Sequence, residues 1–230
     1  VSNSWSGPSL CLPGLILKTG MSHTRSMLSR RDENAADTRR ALVEGAAKLF
    51  AANGFENTST DQIAAAARVT KGAVYHHFAN KRALFQAALE LVDEQTVAAI
   101  AASSRSATTP WEAVVAGLNA FLDRCLDPAY QQICFRDGPT ALGFVQWWEH
   151  GERHVEGALE AALTALREDG SIITADATAL SHVLYGSLSA AALAITRAED
   201  KQTARESMGR ILFELLEGRR PDVEKRYVAS

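Results

Sequence analysis

Three residues that can cap a helix with a side-chain oxygen, Thr60, Thr70 and Asn80, stand ten positions apart within residues 58–85. Each precedes a helix-forming run, so the stretch reads as two very short helices and the start of a third. Between the first two caps, Ile63, Ala64 and Ala67 make an apolar face. Between the second and third, Val74 and Phe78 lie four apart on one side, the spacing of a single helical face. A turn this small between two helices is the helix-turn-helix pattern, whose second helix enters the major groove of DNA.

At about 100° per residue, Gly72 and His76 point away from the Val74/Phe78 face, and Ala73 and Tyr75 flank them. Small side chains let the helix backbone approach another surface. Tyr75 and His76 then hydrogen-bond to phosphates or base edges, while Lys71 and Lys81 supply charge. The candidate DNA-contacting set within and beside the motif (residues 59–78) is therefore Thr60, Thr70, Lys71, Gly72, Ala73, Tyr75, His76 and Lys81. The plainer reading of the same residues is a small helical hairpin with an exposed Tyr-His-His cluster.

Phe50, Gly54-Phe55, residues 58–67, Val69, Lys71-Gly72, Val74-Tyr75, His77-Phe78, Asn80-Lys81 and Leu84-Phe85 together resemble the N-terminal DNA-binding domain of the TetR family of bacterial repressors. The resemblance runs in detail over residues 39–91, and the rest fits the family's long helical C-terminal domain loosely. It implies a dimer whose body binds a small-molecule effector, with repression as the family's default.

Net charge is −3, which argues against a general nucleic-acid coat, but its distribution is uneven. Residues 22–90 hold 10 Lys and Arg against 7 Asp and Glu, whereas residues 91–220 hold 11 against 18. A mildly basic head on an acidic body suits a protein that meets DNA at one end. Cys11, Cys125 and Cys134 are odd in number and form no CxxC pair, which fits a reduced, cytoplasmic compartment. Apolar runs fall short of the roughly 20 residues that span a membrane, and no basic segment precedes the apolar residues 10–17 to make a signal peptide. No membrane partner is expected.

Residues 1–34 are expected to be a disordered tail or an extension, with Met21 or Met27 a possible start and Arg25, Arg30 and Arg31 a basic arm. Asp37 or Thr38 caps a first helix that Gly54 stops. This helix and the two short ones make a three-helix head over residues 35–83. A fourth helix from Lys81 carries the chain into a body spanning residues 84–220, and residues 221–230 are a second tail. In the body, Pro110 and Pro128 start helices, Asp137-Gly138-Pro139 breaks one, and a long helix spans residues 140–168. Two more helices follow, over residues 175–198 and 203–217. No strand pattern appears, so the fold is all-α with about nine helices.

Aromatic residues of the body, Phe121, Phe135, Phe144, Trp147, Trp148 and Tyr185, suit the wall of a small-molecule pocket, with His154, His150 and Arg136 as polar groups. Plain core packing is the competing account of each. His150 and His154 sit four apart on one helix, but Gly151, Glu152 and Arg153 between them are not the zinc-protease order. No third ligand has obvious spacing, so neither a metal nor any other cofactor is expected. The last two helices carry Val183, Gly186, Ala190 and Ala194, then Met208, Ile211, Leu212 and Leu215. These form a face on which a second copy would build a four-helix bundle.

The sequence therefore points to a sequence-specific, dimeric transcriptional regulator that binds a near-palindromic double-stranded operator and is released by a small apolar or amphipathic effector. The alternative is a small-molecule-binding protein or enzyme with an accessory helix-turn-helix head. No G-x-S-x-G, P-loop or dinucleotide fingerprint supports catalysis.

Overall fold

The structure, a computed structural model, describes residues 30–221. The expectations for residues 1–29 and 222–230 lie outside them. The described residues form ten α-helices with one π-helical and one 3-10 segment, and no strand. The helices are α1 (Arg30–Asn53), α2 (Thr60–Ala66), α3 (Lys71–His77), α4 (Lys81–Ser103), α5 (Pro110–Arg124), α6 (Pro128–Tyr130), α7 (Gly138–Leu142), α8 (Phe144–Glu168), α9 (Ala177–Arg197) and α10 (Lys201–Glu217).

Helix α1 begins before the expected cap at Asp37 or Thr38 and takes in Arg30. Asp32 and Glu33 in its first turn complement the helix dipole, which favours this earlier start. It ends as expected at Gly54, whose φ of 81° a side chain would strain. In the head, Leu42, Ala46 and Phe50 of α1 bury against Ile63, Val74, Phe78, Leu84 and Phe85. Phe85 meets Phe50 and Phe55 edge-on at 5.2 and 5.1 Å, the favoured aromatic geometry. Buried Thr58 closes the α1–α2 loop by donating to the Gly54 carbonyl at 2.8 Å.

Helices α4, α5, α8, α9 and α10 pack on one another as the body. The expected break at Asp137-Gly138-Pro139 does not occur. Residues Gln131–Asp137 wind as a π-helix that runs into α7, and Gly138 donates five residues back to the Ile133 carbonyl. Pro139 has no N–H to offer the Cys134 carbonyl, but the Trp147 indole Nε1–H donates to that oxygen at 2.7 Å. The proline is thus accommodated because a distant side chain supplies the donor it lacks. The chain turns at Gly143 instead, with φ of 82°, so α8 starts at Phe144 rather than at residue 140.

The expectation that no apolar run nears membrane-spanning length is also corrected. Helix α9 is long and apolar enough to cross one by length and composition, and 39% of its apolar window is buried within the chain's own fold.

Among the described residues, two sets of hydrogen bonds join head to body. The Phe55 N–H donates to Asp137 Oδ2 at 2.8 Å. The Arg82 guanidinium, in the first turn of α4, donates to the Leu142 carbonyl and to Gln146 Oε1. Both sets end within residues 131–146, the stretch that leads into Trp147.

Candidate nucleic-acid interface and effector region

The helix-turn-helix is fixed by local hydrogen bonds. The cap of α2 is Ser59, not Thr60. Its hydroxyl accepts from Gln62 N, and the Gln62 side chain accepts in return from Ser59 N at 2.7 Å, a full capping box. Thr60, displaced into the first turn, hydrogen-bonds instead to the Tyr75 hydroxyl at 3.2 Å and ties α2 to α3. Thr70 caps α3 by accepting from Ala73 N, and Asn80 caps α4 by accepting from Ala83 N. Arg68 makes the turn between α2 and α3 at φ 57°.

Lys71, Gly72, Tyr75 and His76 of α3 are exposed, Ala73 is half-buried, and Val74 is buried. Tyr75 leaves half its surface open, at 50%. Among the described residues a Cβ added at Gly72 would meet only the Thr70 hydroxyl, at 3.8 Å, so none of them demands a glycine there. Lys71 pairs with Asp61 at 2.9 Å, and that hydrogen bond and charge raise its pKa. His77, beside this face, is pushed below its usual range by burial and by the His76 and Arg39 charges.

Lys81 is turned inward. Its ammonium donates to the Phe55 carbonyl at 2.9 Å and lies over the Phe55 ring at 4.3 Å. The charge that the sequence reading turned toward DNA is thus hydrogen-bonded to a loop carbonyl of the head. An open cleft of about 360 Å³ runs beside it between residues 56–60, Tyr75 and Asn80.

In the body, Phe135, Trp147, Phe144, Trp148 and Tyr185 form a chain of ring contacts from 4.9 to 6.3 Å. Trp147 is buried while Phe144 is 62% exposed, so the chain runs from core to surface. Phe121 packs against the main core, as Phe135 and Trp148 also do, and joins none of these ring pairs. A Cβ added at Gly151 would lie 2.3 Å from the Tyr185 hydroxyl, so that ring would have to shift, and burial raises its hydroxyl pKa to about 12. Two clefts, the one in the head and one of about 320 Å³ between α1 and α4, lie away from these aromatics.

Beside the rings, buried His150 Nε2 donates to Asp93 Oδ2 of α4 at 2.9 Å. His154 Nδ1 donates to the His150 carbonyl at 2.8 Å. Asp93 was not singled out from the sequence. It lies 57 residues from His150, and only the α4–α8 crossing brings the two together.

On the outer face of α9 and α10, Val183, Ile211 and Leu215 are 64%, 51% and 52% exposed, beside exposed Ala190 and Ala194. Gly186 is half-buried under the Trp148 ring. Leu212 is buried in the protomer's own core and Met208 packs against it, so these two turn away from that face.

Two family models match the chain: "Bacterial regulatory proteins, tetR family" over residues 42–88 and "Tetracyclin repressor-like, C-terminal domain" over residues 111–219. A TetR-family transcriptional regulator from Pectobacterium atrosepticum, ECA1819, superimposes with a TM-score of 0.73 at 31% identity, over 84% of this chain and 98% of that one. The TetC protein of transposon Tn10 from Escherichia coli is 27% identical over 162 residues, 69% of this chain and 80% of its own length. RolR in complex with resorcinol shares the fold, with a TM-score of 0.63 at 22% identity, over 83% of this chain and 98% of that one. With a helix-turn-helix head, an all-helical body and matches across both, the chain is a DNA-binding transcriptional regulator of the TetR family.

Proposed function

We propose that the chain is a homodimeric repressor that leaves its operator when a small apolar or amphipathic effector binds the body. In this reading residues 35–83 are the DNA-binding head and residues 84–220 the effector-binding and dimerisation body. It acts in the cytoplasm, by binding rather than by catalysis. The observation that carries it is the outer face of α3, where exposed Tyr75 and His76 flank a Gly72 that no internal contact requires. A backbone left bare on that side lets α3 approach base edges closely. Tyr75, held by Thr60, enters the groove pre-oriented.

Two heads set about 34–36 Å apart by the body would read successive major grooves of a near-palindrome. The exposed apolar side chains Val183, Ile211 and Leu215 support pairing through α9 and α10. The ring chain from Phe144 to Tyr185 supports an aromatic or amphipathic effector, and the similarly folded RolR was solved with resorcinol. Such an effector would enter between rings that now touch, by separating them.

Fluorescence anisotropy against DNA from upstream of the chain's own gene tests the reading. One palindrome is expected to bind specifically, with affinity falling steeply as salt rises. Tyr75→Ala is expected to weaken that binding at least tenfold while the dimer persists. Equal affinity for every duplex, or no loss in Tyr75→Ala, would remove α3 as the reading helix.

A further inference from the structure

We infer that Asp93, His150 and His154 form a binding site for a divalent transition ion of the zinc class, clamping α4 to α8. One ligand atom from each residue lies within 4.8 Å of the others. The donor set, two imidazoles and a carboxylate, is a common one for zinc. His150 and His154, four residues apart, share one face of α8, and Asp93 faces them from α4. Around a tetrahedral zinc with bonds of about 2.0–2.1 Å, ligand atoms sit roughly 3.3 Å apart. Asp93 and His150 are already at 2.9 Å, so small side-chain rotations close the rest.

The surroundings are those of a supported metal site. A carbonyl oxygen only accepts, so the His154 Nδ1–H donates to His150 O. The lone pair of His154 is therefore on Nε2, and a backbone carbonyl fixes the tautomer. The Cys134 thiol donates to Asp93 Oδ1 at 3.8 Å and orients the carboxylate from behind. On binding, the ion takes the place of the proton that His150 Nε2 shares with Asp93; an imidazolium releases that proton to solvent and keeps Nδ1–H, whereas a neutral ring carries it on Nδ1 instead. The fourth position is left to water or to an oxygen of a second ligand. A simple buried pair would need His150 and Asp93 alone. The rings of His150 and His154 stand 4.4 Å apart, and a shared ion accounts for the second imidazole as well.

Chelator-stripped full-length chain titrated with zinc chloride by calorimetry is expected to take one ion per chain with submicromolar affinity. Its thermal midpoint should rise with zinc concentration. Cobalt substitution should give the intense visible bands of a four-coordinate ion. His154→Gln and Asp93→Asn should each cost at least the roughly 10- to 100-fold in affinity that loss of an outer partner costs. His76→Gln and His182→Gln should bind as the parent does. Only loose binding of several ions, a weak six-coordinate cobalt spectrum, or full affinity in both ligand variants would overturn the inference. If circular dichroism finds a ligand variant unfolded, the cobalt spectrum of the parent chain decides. Metal uptake is read without DNA, so the result stands apart from the operator reading.

Discussion

Arg68 holds the turn of the helix-turn-helix at φ 57°, a left-handed conformation that non-glycine residues adopt only when their surroundings enforce it. The enforcement is visible in backbone bonds on both sides, Arg68 N to Ala65 O and Val69 N to Ala64 O. A β-branched residue fits this region worst. Arg68→Val is expected to lower unfolding free energy by about 1–3 kcal/mol, read by urea denaturation, with no change in dimerisation. Gly138 is constrained differently: an added Cβ would lie 2.7 Å from Trp147 Cδ1. Gly138→Ala must therefore push Trp147 off the Cys134 carbonyl. It should cost about 1–3 kcal/mol and shift tryptophan emission. Unchanged emission would mean that the indole keeps its place.

At the scale of elements, the head was legible because its signals are local. The three caps bound α2, α3 and α4, and the side-chain faces follow from helical period alone. Where reading and structure part, the cause is a neighbour, in one case within a capping-box spacing that the sequence does show and in the other beyond what spacing reveals. Ser59 takes the cap from Thr60 because Gln62 reciprocates it, and Lys81 turns in because two loop carbonyls need a donor. Ser59→Ala is expected to destabilise the head by about 0.5–2 kcal/mol, seen in thermal unfolding. The body was less legible. Pro139 reads as a stop until Trp147 is known to supply the missing donor. Of the aromatics that the sequence reading grouped as a pocket wall, all but Phe121 meet in the ring chain. Asp93 carried no signal at all, since its meaning depends on how α4 crosses α8.

For the whole molecule, the proposed dimer makes the face of α9 and α10 the place where two heads would be joined. Ile211→Glu combined with Leu215→Glu places charge on two half-exposed side chains without touching buried Leu212. Sedimentation is expected to find a folded monomer, and operator affinity should fall by orders of magnitude because each head alone covers one half-site. A dimer that survives both charges would move the partner face away from these helices.

The few bonds that join head to body, from Phe55 to Asp137 and from Arg82 to Leu142 and Gln146, set an energetic scale. A hydrogen bond contributes about 0.5–1.5 kcal/mol net, and about 1.5–3 when one partner is charged. Coupling between two sites on one protein is typically about 1–3 kcal/mol, or 5- to 150-fold in affinity. Making or breaking this handful of contacts is therefore already the size of a full regulatory response. On the proposed reading the body need not be remodelled to be heard at the DNA; releasing Phe55 and Arg82 would be change enough.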